Sequence, residues 1–204
     1  MKNQFDRKVF TPKIFFKEIF FVMGHMPKAA KAIKNKRISK AFISKVMTVS
    51  TAVNGCVYCE WYHAKEAAAS GISEVEIKNM LNLQFQADAS EHEVNALLYT
   101  QHYAETSQNP DPEMTQKFRD FYGEKMADDI YIFIRTIYFG NLLGNTWDAV
   151  LSRFKGKPAP DSKLWFELVF FLLTFLIMFP AMWMMKRDEK KKVKALKMNE
   201  IKVN

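Results

Sequence analysis

Asn54-Gly55-Cys56-Val57-Tyr58-Cys59-Glu60-Trp61-Tyr62-His63, running on into Ala64-Lys65-Glu66-Ala67-Ala68-Ala69-Ser70-Gly71, is the stretch that decides the fold. Asn54-Gly55 interrupts an apolar run, and Cys56 to Ser70 reads as a helix whose Ala64, Ala67 and Ala68 permit close packing, with Gly71 as its stop. The only two cysteines of the chain fall within one turn of that helix. At about 100° per residue, offsets of zero, three and seven lie within roughly 60° of one another, so Cys56, Cys59 and His63 share one stripe. Two thiols able to close a disulfide beside a group that moves protons near neutral pH form a redox constellation. Asn54 is expected to cap the helix, which puts both thiols in its first turn, where free amides and the dipole favour a thiolate. His63 is one turn beyond Cys59 and nearly two beyond Cys56, so proton transfer is easier with Cys59. The expectation is therefore Cys59 as attacking thiolate, Cys56 as resolving partner and His63 as proton shuttle.

Outward from this segment the punctuation predicts further helices and no lasting strand alternation. Pro27 to about Lys36 and Ile38 to about Val53 precede it, the latter stacking Ile43, Met47 and Thr51 on one face. Ser73 with Glu76, and Ser90 with Glu93, are capping-box patterns for helices to about Leu81 and Glu105. Asn109-Pro110-Asp111-Pro112 marks a turn, followed by helices through about Phe121 and from about Lys125 to Phe154. Few Gly and Pro among 204 residues, with abundant Phe, Met, Ala and Lys, agree with an all-α chain.

Leu164 to Met185, LWFELVFFLLTFLIMFPAMWMM, carries one charge, Glu167, and as a helix spans roughly 33 Å, about one bilayer core. Trp165 and Trp183 stand near its ends as interfacial aromatics do, Lys163 precedes it, and Lys186-Arg187 opens a lysine-rich tail. A single C-terminal transmembrane helix is predicted. Phe10 to Met23 places Phe16, Ile19, Phe20 and Met23 at helical spacing away from Lys13 and Lys17, a pattern that suits a membrane interface or packing on the core or a neighbouring subunit. The expected organisation is a basic amphipathic helix over 1–25, a helical domain over 26–155, a linker over 156–163, the apolar helix over 164–185 and a basic tail over 186–204.

The net charge of +8 belongs to the ends. Residues 1–40 carry +9 and residues 186–204 carry +5, which leaves −6 between them. With no nucleic-acid-binding module present, anionic lipid is the expected partner and nucleic acid is not. A lone cysteine pair and the lack of a signal-peptide pattern point to a reducing compartment, with the domain on the cytoplasmic side of a single-pass membrane protein. The basic amino-terminal segment and the basic tail each argue for the inside, a conflict for a helix that crosses once.

Other chemistries for the cysteine stripe differ in what they require. Zinc needs a fourth ligand beside Cys56, Cys59 and His63, and His25, His92 and His102 are scattered. Covalent haem attachment needs histidine where Glu60 stands, which excludes it. Two buried, inert cysteines beside a satisfied histidine remain an alternative. No metal and no cofactor is expected.

Asn54-Gly55-Cys56-x-x-Cys59-x-x-x-His63, after an apolar helix and before an alanine-rich turn ending in Gly71-Ile72, resembles the alkylhydroperoxidase D and carboxymuconolactone decarboxylase superfamily in its peroxidase-like branch. The resemblance spans roughly Met26 to Arg153 and includes Ala96-Leu97-Leu98-Tyr99 and Ile137 to Leu151 with Asn141 and Asn145. It implies an alkylhydroperoxidase D-like all-α subunit that forms trimers or higher homo-oligomers. It also implies an antioxidant dithiol that reduces hydroperoxides or passes electrons to a peroxiredoxin, with the second cysteine forming the sulfenic acid. Better-studied members carry a glutamate about twelve residues before the first cysteine, where this chain has Ser44, and some carry histidine where it has Tyr58. The relay is thereby shortened to His63, oriented by Glu60 or Glu66. A peroxidase or disulfide reductase fed by a dithiol donor is the expected activity, with a non-catalytic membrane assembly subunit as the alternative.

Overall fold

A computed structural model describes residues 5–87, 89–160 and 162–203, with side chains through Lys191. The described residues form helices and no strand: α1 Pro12–Lys34, α2 Lys40–Asn54, α3 Val57–Ala69, α4 Glu74–Leu81, α5 Glu91–Glu105, α6 Pro112–Arg153 and α7 Leu164–Val203. The expected all-α architecture is present, and α7 is a candidate membrane span whose Leu164–Lys191 portion contains an 18-residue window with a mean hydropathy of 2.3. The side chains of the tail beyond Lys191 lie outside the described residues, as do residues 1–4 of the expected amino-terminal segment.

Local signals set most helix ends. Ser39, Ser73 and Ser90 accept the amides of Phe42, Glu76 and Glu93, and Ser90 with Glu93 completes a reciprocal capping box. The expected break before Pro27 is absent, since α1 runs through it to Lys34. Pro27 frees the carbonyl of Met23, and both residues are exposed, so water can serve that group and the helix continues. The break expected between Phe121 and Lys125 falls at Gly123, whose φ of 69° and ψ of 155° interrupt α6.

α2 is the central helix and packs against α3, α4, α5 and α6. Its Phe42, Val46 and Val49 meet Leu97 of α5 and Ile130, Ile134 and Leu142 of α6 in the main core. Lys45 anchors the outer end of α2 to Glu76 of α4 and Glu93 of α5, at 2.6 and 3.0 Å. α1 lies along α6 through Glu18, which is fully buried and takes two bonds from Arg135, at 3.0 and 2.6 Å. Phe21 covers the Arg135 guanidinium 3.4 Å from its ring centre. The apolar stripe of α1 faces outward instead, with Phe16, Phe20 and Met23 exposed.

A buried ion pair is costly to break and inexpensive to replace whole, because removing one partner leaves a bare charge out of water. Glu18→Ala is expected to destabilise the domain by about 3 kcal/mol or more, whereas Glu18→Leu with Arg135→Met recovers most of that loss. Urea unfolding followed by circular dichroism measures both.

Candidate functional site

The site begins where α2 ends. Gly55 adopts φ 65° and donates its amide to Thr51 O at 2.8 Å, which closes α2 and turns the chain into α3. Cys56 itself is the N-cap of α3: it is extended, with φ −80° and ψ 104°, and its Sγ accepts the Cys59 amide at 3.3 Å. The expected cap, Asn54, is instead the last residue of α2, and its Nδ2 donates to Ser50 O at 3.0 Å. The reason is spacing. Gly55 is needed to reverse the chain, so the first residue free to cap is Cys56.

Cys56 and Cys59 are joined as a disulfide, with Cα atoms 5.3 Å apart. Cys56 is fully buried and Cys59 half-buried. The helix N-terminus that the Cys56 sulfur caps would stabilise a thiolate there once the bond is reduced. Cys59 is the more exposed of the two.

α6 holds this turn from one side. Asn141 accepts from the Thr51 hydroxyl at 3.0 Å and donates to Ser50 Oγ at 3.3 Å. One turn on, Asn145 donates to Asn54 O at 2.8 Å. Arg7, from the segment before α1, donates to Gly55 O at 3.1 Å, to Asn145 Oδ1 at 3.2 Å and to Asp148 Oδ2 at 2.7 Å. Asp148 also accepts the Tyr58 hydroxyl. Burial and then this bond to a carboxylate push the Tyr58 phenol well above its usual range, so it stays protonated and serves as a strut.

Between these polar contacts, Gly144 of α6 lies against the cysteines. A β-carbon there would stand 2.6 Å from Cys56 Sγ and 3.2 Å from Tyr58 Cδ2. Trp147, Met178 and Met185 complete an apolar cluster with Cys56 and Tyr58, and Trp61, Phe171 and Met182 flank it. α7 therefore covers the cysteine pair. Its far end is fastened by Asp188, which pairs with Lys65 and accepts Trp61 Nε1 at 3.3 Å.

His63 is on α3 one turn past Cys59, half-buried, with the ring of Tyr62 edge-on at 5.1 Å. Among the described residues no hydrogen bond joins it to either sulfur, to Ser44, or to Glu60 and Glu66, both of which are exposed. The expected carboxylate orientation of His63 is thus not formed. Ser44 is buried in α2, where its carbonyl accepts the Thr48 hydroxyl at 2.8 Å.

Residues 23–102 match the model of the carboxymuconolactone decarboxylase family. That segment is similar to the family. The matched segment takes in the second half of α1 and all of α2 to α4, and it ends within α5. It holds Cys56, Cys59 and His63, while α6 and α7, which hold and cover the turn, lie outside it. The chain matches no curated protein.

Arg7, Gly144, Trp147 and Asp148 escape a reading of the motif because each is remote from it in sequence. Asn141 and Asn145 are visible as polar residues one turn apart in an apolar helix, and Asp148 extends the same rail by three residues.

Overpacking at Gly144 tests this contact. Gly144→Ala is expected to cost about 1–3 kcal/mol and to slow closure of the disulfide, as read by thermal unfolding and by thiol titration after oxidation. A second outcome concerns pH. Burial lowers the His63 imidazole from 6.5 to about 4. Because the folded value is the lower one, the unfolded chain binds the proton first as pH falls. The contribution is complete above pH 6.5 and lost progressively down to pH about 4, by about 3 kcal/mol at most. His63→Leu is expected to flatten that part of the stability profile relative to the parent, measured by urea midpoints across the window.

Proposed function

We propose that the protein is a membrane-attached thiol oxidoreductase that reduces hydroperoxides, with Cys56 and Cys59 cycling between dithiol and disulfide. The observation that carries this reading is the pair itself, closed across the first turn of α3 within the segment that matches the carboxymuconolactone decarboxylase family model. α7 supplies the attachment, and the cytoplasmic placement of the domain is part of the same proposal.

In the first step the Cys59 thiolate attacks the terminal peroxide oxygen. The O–O bond breaks, the alkoxide takes up a proton and leaves as alcohol, and Cys59 becomes a sulfenic acid. In the second step the Cys56 thiolate attacks the Cys59 sulfur and displaces hydroxide, which leaves as water after protonation, forming the disulfide. A donor dithiol, or a peroxiredoxin partner in exchange, then returns two electrons and two protons. Cys59 is the attacking sulfur because it is the more exposed of the two, while buried Cys56 is positioned to resolve.

His63 is neutral at pH 7 because burial disfavours the imidazolium. It is consequently a weak base that passes a proton from thiol to leaving alkoxide without holding it. Cys59 lies in the first turn of α3, so the helix N-terminus favours its thiolate as well as that of the capping Cys56, which lessens the need for a carboxylate at Ser44. Association into homo-oligomers is part of the same proposal.

Reduced parent, Cys59→Ser, Cys56→Ser and His63→Gln chains mixed with a small organic hydroperoxide test this assignment. Cys59→Ser is expected to abolish the fast loss of thiols. Cys56→Ser is expected to keep it while stopping at a trappable sulfenic acid, and His63→Gln to slow it by roughly 10²-fold or more. Equal rates for Cys59→Ser and the parent would overturn the assignment.

A further inference from the structure

The helix over Leu164–Lys191 is long enough to cross a bilayer, yet its packing is that of a helix lying on the domain. Phe166, Glu167, Phe170, Thr174, Met178 and Met185 are buried at a spacing that returns to one face every turn. On the opposite side Leu172, Leu173, Leu176 and Ile177 are 74%, 70%, 83% and 67% exposed. The inner face is held along its whole length. Glu167 is fully buried on Arg153, which also reaches Ser162 Oγ at 2.8 Å. Phe15 of α1 meets Phe166 and Phe170 at 5.8 and 5.9 Å, and Phe171 stacks on Trp147 at 4.3 Å. Met178 and Met185 sit on the cysteine cluster, and Asp188 pairs with Lys65.

An upright crossing would release all of these contacts together. It would put the Glu167 carboxylate into hydrocarbon without Arg153 and bare Trp147 and Cys56 to water. A helix that is apolar all round must be covered all round. Here the domain covers one face, and the other faces outward between two sets of anchors. Trp165 and Trp183 are exposed near its ends, Lys155, Lys157 and Lys163 stand before it, and Lys186, Arg187, Lys190 and Lys191 follow.

We propose that α7 lies in the plane of one anionic leaflet, with its outer face in the acyl region and its inner face on the domain, and does not cross. This rests on the membrane attachment proposed above and specifies its mode. The two basic ends, which make conflicting demands on a helix that crosses once, then lie on the same side and agree. The exposed Phe16 and Phe20 of α1 adjoin the same end of α7 through Phe15, with ring centres 5.5 Å apart for Phe15 and Phe16. The cysteine cluster is then separated from lipid by a single helix, about 10 Å across.

The full chain carrying one protease site in the 156–163 linker and another after Lys191, reconstituted into sealed phosphatidylcholine–phosphatidylglycerol vesicles, tests the proposal. The expected result is that each molecule is cut by external protease at both sites or at neither. Molecules cut at one site only would establish a crossing and overturn the in-plane seat while leaving membrane attachment intact. Failure to bind vesicles at all, with a soluble oligomer formed instead, would overturn the seat and the attachment together and assign the outer face to a second copy of the chain.

Discussion

A β-carbon on residue 144 would stand 2.6 Å from the Cys56 sulfur, so α6 and the start of α3 meet at a separation that only glycine permits. Everything at the site follows from that approach. It brings Asn145 onto the carbonyl of Asn54 and Asp148 onto the hydroxyl of Tyr58, and it gives Arg7 a carboxylate on one side and the Gly55 carbonyl on the other. Those contacts fix the left-handed residue between α2 and α3, and hence the position of Cys56 at the helix N-terminus. The chemistry of the pair is in this sense a packing property of α6, which lies outside the matched family segment.

The two sulfurs differ because one is used structurally. Cys56 replaces the hydroxyl or carboxylate that usually caps a helix, so its sulfur is buried and engaged with the amide of Cys59. Cys59, one turn in, keeps a partly open face. The low pKa of His63 belongs to the same apolar setting, which favours proton relay over proton storage.

Much of this was legible in the chain. The helices around the cysteines, the helices capped by Ser73 and Ser90 and the break near Gly123 are written in local signals of capping and turn chemistry. Asn54 is a capping residue by type but ends α2, because a sequence shows which residues can cap, not which one the preceding turn consumes. Pro27 removes one helix bond and crowds the carbonyl of Met23, yet both residues are exposed, so water serves that carbonyl and α1 continues through the proline. The Arg7–Asp148–Tyr58 network and the cover of methionines from α7 depend on tertiary approach, for which periodicity carries no signal. The apolarity of α7 was plain, but its two-faced use was not, since lipid and protein core select the same side chains.

The central claim is that Cys56 and Cys59 act as one two-electron couple. Intact-mass analysis of the fully reduced chain after one equivalent of an organic hydroperoxide measures this most directly. The account predicts loss of two hydrogen atoms from the chain, localised to a Cys56–Cys59 disulfide, with one alcohol released for each disulfide formed. A chain whose thiols remain reduced, or whose mass rises by oxygen added to methionines while both thiols persist, would contradict it.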